Sequence, residues 1–229
     1  MLTDHLQLSR QSAFTNGLCN PYLARMERYF YEPGHGHGLK HDPFNAIVGP
    51  RPIGWVSTCG ADGSVNLAPY SFFNAFCYTP PIIGFSSIGA KNSLRNVRET
   101  GEFVWNLVTR ELGAAMNESC AAVDYGVDEF VLARLEKAPA RLVKPPMVKA
   151  AKVNFECKVA EIVRLKSAAG VAADAWLVLG EVVGVHIAPE LLQDGVFDTF
   201  GAGILLRAGG PSAYAEVRLD SRLDMTRPG

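Results

Sequence analysis

The chain has 229 residues and a mass of 24.8 kDa, with 48% hydrophobic and 20% charged residues, a balance that fits one folded domain with a substantial core. Twenty-two basic and 23 acidic side chains are spread along the sequence for a formal charge of −1, which removes nucleic acid and anionic membranes from the expected partners. Five isolated cysteines without a CxxC pair argue against a disulfide framework or structural zinc and for a reducing cytoplasm, and no apolar run is long enough to cross a bilayer.

Residues 1–25 lack the basic start, apolar core and small-residue cleavage pattern of a signal peptide. His35, His37 and His41 follow, separated by glycines and a lysine. No acidic or cysteine ligand accompanies them, so they read as a loop rather than a metal site. From Arg51 to Asn74 the pattern is a β-hairpin. Ile53, Trp55 and Val56 favour a strand, Asp62-Gly63 supplies the tight turn, and Val65 and Leu67 restart the apolar run. Its exit, from Asn66 through Ala68, Pro69, Tyr70, Ser71, Phe72 and Phe73 to Asn74, mixes hydrogen-bonding groups, small residues and flat rings. Such a mixture suits a planar heteroaromatic ligand, and equally a buried turn with core aromatics.

Pro80-Pro81 stops any helix, and Ile82, Ile83 and Phe85 make a short buried strand ending at Ser86 and Ser87. After Lys91, Asn92 or Ser93 is expected to cap a helix that stops at Gly101. A helix start flanked by serines and a lysine can seat a phosphate monoester, or can be an ordinary capped helix. A strand is expected over 103–108 and a helix over about 110–120. Asp128 and Glu129 open another short helix, where acidic residues complement the dipole, so they read as structural. Alternation from Val153 to Leu165 and from Leu177 to Ile187 predicts two strands joined by a loop at 168–174. His186 faces away with no obvious partner, and Pro189–Gln193 reads as one helical turn. Twenty-two glycines, 14 prolines and hairpin connections favour a mainly β fold with peripheral helices, an antiparallel barrel.

Four ordered runs, PRPIGWVST, NLAPYSFFN, PPIIGFSS and KNSLRNVRETGEFVWNL, closely resemble the flavin reductase-like, FMN-binding family. That family includes flavoredoxins and the reductase components of two-component monooxygenases. The likeness extends from about Tyr29 to about Tyr214, with Arg207, Gly209-Gly210 and Tyr214 resembling its late signature. It marks residues 1–25 as an upstream extension, 26–220 as the flavin domain and 221–229 as a tail. The resemblance implies an FMN-binding split β-barrel, dimeric, with flavin near the subunit interface. FMN phosphate would sit at Ser86, Ser87, Lys91, Asn92 and Ser93. The ring and ribityl chain would lie along Trp55, Ser57, Thr58 and the run Asn66, Leu67, Ala68, Pro69, Tyr70, Ser71, Phe72, Phe73, Asn74. The family commonly has Asp where this chain has Asn92.

GAGILL at 201 lacks the third glycine of a dinucleotide fingerprint and GHGHGL at 34 follows no strand, so NADH or NADPH would bind transiently by another route. The leading expectation is an NAD(P)H-dependent flavin reductase needing no side-chain nucleophile, feeding oxygen, a partner monooxygenase or a diffusible acceptor. The alternatives are a flavoredoxin-like electron carrier serving protein partners and a non-enzymatic barrel module.

Overall fold

A computed structural model describes residues 28–228. The described residues fall into two units that divide between Lys40 and His41. The proposed 1–25 extension and a start at Met26 lie outside the described residues. In the first unit, residues 28–40 carry one 3-10 turn, Pro33–His35. The Tyr29 hydroxyl donates to the His37 carbonyl at 2.9 Å, and His37 Nδ1 accepts the Leu39 N–H at 3.0 Å, so the backbone already occupies that ring nitrogen.

The second unit is built mainly of strands. In chain order they are β1 (Arg51–Pro52), β2 (Gly54–Cys59), β3 (Val65–Tyr70), β4 (Phe73–Cys77), β5 (Ile82–Ile88), β6 (Glu102–Asn106), β7 (Lys137–Ala138) and β8 (Met147–Val148). Then follow β9 (Val153–Lys166), β10 (Ala172–Ile187), β11 (Leu192–Gln193), β12 (Val196–Phe197), β13 (Leu205–Arg207) and β14 (Tyr214–Glu216). The helices are short: α1 (Phe44–Ile47), α2 (Asn92–Thr100), α3 (Gly113–Glu118) and α4 (Glu129–Leu132). Seven strands form one antiparallel sheet in the order β3-β2-β6-β9-β10-β5-β4, curled as a half-barrel, and β1-β13-β14 form a smaller sheet. Among the described residues no helix is long and apolar enough to cross a membrane.

The hairpin forms as its residues dictate. Gly54 pairs with Tyr70 and Cys59 with Val65, and the turn between them closes through the Gly60 N–H on the Ser64 carbonyl at 2.8 Å. Gly63 takes the positive φ of 85° that the turn needs. Both faces of β2 are covered. Val56 joins Phe85, Leu94, Val97, Phe103 and Val178 in the barrel core, while Trp55 packs with Leu67, Met116, Phe130 and Val148 on the other side. That is why β2 reads as a nearly continuous buried run.

Several expected boundaries move. Lys91, not Asn92 or Ser93, is the N-cap of α2, and its side chain makes no capping hydrogen bond; the backbone turns helical one residue earlier than the capping preference of Asn and Ser suggests. Gly101 ends the helix in the left-handed region, as expected. The helix expected over 110–120 contracts to Gly113–Glu118, and β6 ends at Asn106, with the Leu107 N–H still donating to the Val153 carbonyl where β9 begins. The loop after β9 is shorter than expected, since pairing resumes at Ala172. Pro189–Leu191 is a 3-10 turn running into β11. Phe73 and Asn74 belong to β4, where they pair with Phe85 and Gly84.

Gly180 shows how closely the barrel is packed. A Cβ there would lie 2.3 Å from Phe103 Cε1, within a fully buried ring packed among Phe85 and Cys157. Gly180→Ala is expected to cost about 1–3 kcal/mol through overpacking. A urea midpoint that falls at constant slope would show it; an unchanged midpoint would mean the Phe103 ring has room to move.

Candidate functional site

Because β3 is an edge strand, one side of it is unpaired. Pro69, which has no N–H to contribute to a ladder, sits there without loss. Asn66, Ala68 and Tyr70 share one face of the strand by the two-residue period. They meet the start of α2 and the loop after α3 around a cleft of about 350 Å³, whose walls are Asn66, Ala68, Pro69 and Tyr70; Lys91, Asn92 and Ser93; Ser119–Val123; and Glu129. A smaller cavity of about 140 Å³ shares Pro69, Tyr70 and Cys120 and is bounded by Ser71, Arg207 and Tyr214.

The chemistry of the α2 end of the cleft suits an anion. The first turn of the helix has no side-chain cap and no acidic residue, so its N–H groups and dipole face the cleft uncompensated. Lys91 makes no ion pair among the described residues. The Tyr70 hydroxyl is buried and has no hydrogen-bond partner. Burial pushes its pKa up, and the nearby Ser93 and Ser87 hydroxyls oppose that only in part, neither meeting hydrogen-bond geometry. A buried donor without a partner is uncommon enough to call for a missing oxygen.

The opposite wall is a polar chain. Glu129 Oε2 accepts the Leu67 N–H at 2.9 Å, and Asn66 lies between Glu129 and Ser93. With Glu129 ionised, the Asn66 amide is satisfied in one sense. With nitrogen towards Glu129, it donates to Oε1 at 3.0 Å while its oxygen accepts from Ser93 Oγ at 2.8 Å. Reversed, its nitrogen donates to Ser93 Oγ at 2.8 Å while its oxygen faces Glu129 Oε1, an arrangement satisfied only when Glu129 carries a proton. Burial foremost raises the Glu129 pKa, with the Leu67 N–H pulling the other way and Asp128 adding to the rise.

The other expected site residues lie elsewhere. Trp55, Ser57 and Thr58 are wholly buried behind the cleft: Trp55 Nε1 donates to Ser119 Oγ at 3.0 Å, Ser57 to the Pro146 carbonyl, and Thr58 Oγ1 accepts from Asn96 at 3.0 Å. The Leu67 side chain is buried with Trp55. Phe72 lies beneath the Arg51 guanidinium at 5.5 Å, and Phe73 stacks on Trp105 in the core. Asn74 is exposed and accepts from its neighbour Ala75. Ser86 is half-buried in β5, and Ser87 donates to the Gly89 carbonyl at 2.9 Å. Sequence reasoning missed Glu129 and the 119–123 wall. Glu129 meets Leu67 from 62 positions away, a contact no local pattern announces.

A curled antiparallel half-barrel with a polar cleft on its edge strand defines a split-barrel protein. Residues 49–203 match the flavin reductase like domain, and the chain belongs to that family. Among solved structures, nitrilotriacetate monooxygenase component B from Bacillus cereus is 30% identical with a TM-score of 0.71, covering 80% of this chain and 91% of that one. A Shewanella frigidimarina protein with a split barrel domain aligns at 22% identity and a TM-score of 0.71, over 80% and 90% of the two chains. Flavoredoxin of Desulfovibrio vulgaris aligns at 20% and 0.66, over 78% and 90%. The last two likenesses speak to the fold alone.

Proposed function

We propose that the cleft binds FMN and that the protein is an NAD(P)H-dependent flavin reductase. The observation that carries this is the convergence of an uncapped helix start, Lys91 and the partnerless Tyr70 hydroxyl beside an open strand edge. These donors suit the phosphate of a flavin mononucleotide, with Lys91, Asn92 and Ser93 holding it. The edge of β3, from Asn66 to Tyr70, offers backbone groups and a small-residue surface to the ring and ribityl chain. Trp55, Ser57 and Thr58 support this wall from the neighbouring strand of the hairpin.

When bound, FMN supplies a hydride-accepting N5 and carries the difficult chemistry. The chain's own work is to fix the ring against β3 and to keep its open face accessible to a nicotinamide. No side chain is assigned a catalytic step. A second copy of the chain would cover the apolar surface on which Tyr78 is 94%, Phe76 54% and Val185 54% exposed, giving a homodimer. Likeness to a monooxygenase component B supports delivery of reduced flavin to a partner oxygenase.

The test is NADH and NADPH oxidation by freshly purified protein with and without added FMN. Nucleotide oxidation that depends on FMN is expected. Yellow protein that leaves both nucleotides unoxidised would replace this reading with an electron carrier, and protein that takes up no flavin at saturation would end both.

A further inference from the structure

We propose that Glu129 is a positioning residue that, through the Asn66 amide, sets whether the Ser93 hydroxyl donates into the cleft, so that binding a phosphate-bearing flavin is coupled to uptake of a proton. The proposal rests on the placement of FMN phosphate at α2 and adds a regulating group to that site.

Three heavy-atom positions carry the argument: Glu129 Oε1, the Asn66 amide and Ser93 Oγ form a continuous hydrogen-bonded chain with spacings of 3.0 and 2.8 Å. An ionised Glu129 only accepts, so the Asn66 nitrogen must face it. The Asn66 oxygen then takes the Ser93 hydrogen, and Ser93 presents lone pairs to the cleft, the wrong polarity for a phosphate oxygen. A proton on Glu129 reverses every bond in the chain, and the Asn66 oxygen gives up the Leu67 N–H that it also accepts at 3.2 Å. The carboxyl donates to the Asn66 oxygen, the Asn66 nitrogen donates to Ser93 Oγ, and the Ser93 hydrogen is released towards the space beside the Tyr70 hydroxyl. Glu129 Oε2 keeps the Leu67 N–H in both states, so the strand need not move.

The groups around Glu129 favour such a proton. Burial and neighbouring Asp128 both raise its pKa, and Asp128 itself is held by Lys137. Tyr70, Cys120 and Lys91 line the same cleft. Since the folded pKa is raised, the neutral form persists above the ordinary carboxylate range and is lost as pH climbs through the raised value.

The experiment compares FMN with riboflavin by titration calorimetry on the full chain, in buffers of different ionisation heat and across about pH 6 to about pH 9, an interval chosen to span a raised carboxyl pKa. Wild-type protein is expected to take up more protons with FMN than with riboflavin. Its FMN-to-riboflavin affinity ratio should fall about tenfold as pH rises, the worth of one hydrogen bond to a charged group. Glu129→Gln fixes the donating state, because the introduced amide can donate to Asn66 and accept from Leu67. That variant should lose the extra uptake and hold a flat ratio. Equal uptake and equal slopes in the two proteins would overturn the coupling while leaving the phosphate site standing. Failure of wild-type protein to bind either flavin would overturn the site reading and the coupling together.

Discussion

Lys91→Ala combined with Ser93→Ala is expected to weaken FMN binding about a hundredfold while riboflavin binding changes less than about threefold, since each hydrogen bond to an ionised phosphate is worth roughly 1.5–3 kcal/mol. The asymmetry follows from geometry. Both residues stand at the uncapped end of α2, and Lys91 makes no other ion pair among the described residues, so their removal leaves the barrel's packing intact apart from the Asn66–Ser93 contact. The Asn66 side chain keeps Glu129 as a partner. Fluorescence quenching of each flavin on titration would measure the two affinities. Equal losses for FMN and riboflavin would place the phosphate elsewhere.

Glu156→Ala should be the most damaging single change away from the cleft, costing about 3–5 kcal/mol as three backbone donors lose the buried carboxylate that accepts them. The Glu156 carboxylate is wholly buried. It accepts the N–H groups of Arg141 at 2.9 Å, Val143 at 3.1 Å and also Leu142, and meets His186 Nε2. Truncation would leave three backbone donors and an imidazole without their acceptor. Burial acts to raise the carboxyl pKa, but the bonds from Arg141, His186, Leu142 and Val143 outweigh it and hold the group below its ordinary value. The sign is therefore that of a depressed acid: its stabilisation is present above the unfolded carboxylate pKa and is lost as pH falls through the folded one. Urea unfolding at neutral and acid pH would show the gap between wild type and Glu156→Ala closing as pH drops. A gap independent of pH would remove the charge from the explanation.

The same residue illustrates what the sequence could not display. Glu156 falls on a strand whose alternation predicts solvent exposure for it and for Asn154, yet both are buried, because the 139–148 segment crosses that face of β9. His186, which has no partner within reach along the chain, finds Glu156 across the β9–β10 ladder. Alternation did reveal β9 and β10 themselves, and Asp62-Gly63 falls inside the loop that joins β2 to β3, although only Gly63 takes a positive φ there. Local chemistry also drew together both halves of the cleft, since Asn66 to Tyr70 and Lys91 to Ser93 are each contiguous runs. Glu129 escaped because its charge suits a helix start and its actual contacts, Asn66 and Leu67, lie in a distant strand. Trp55, Ser57 and Thr58 sit on the neighbouring strand of the same hairpin; what separates them from the cleft is one layer of packing, a distinction that depends on which face α3 and the Pro146 loop cover.

The strand order places β3 and β4 at opposite edges of the seven-stranded sheet, although only Ser71 and Phe72 separate them in the chain. Three consecutive peptide links reach at most roughly 11 Å when extended. The two margins are therefore tethered by a covalent seam where a complete barrel would have a ladder, and Arg51 Nε fastens that seam at the Ser71 carbonyl, 2.8 Å away. An ordinary edge strand can fray outward by itself. Here β3 cannot peel away without dragging β4, so this wall of the cleft is the preorganised one.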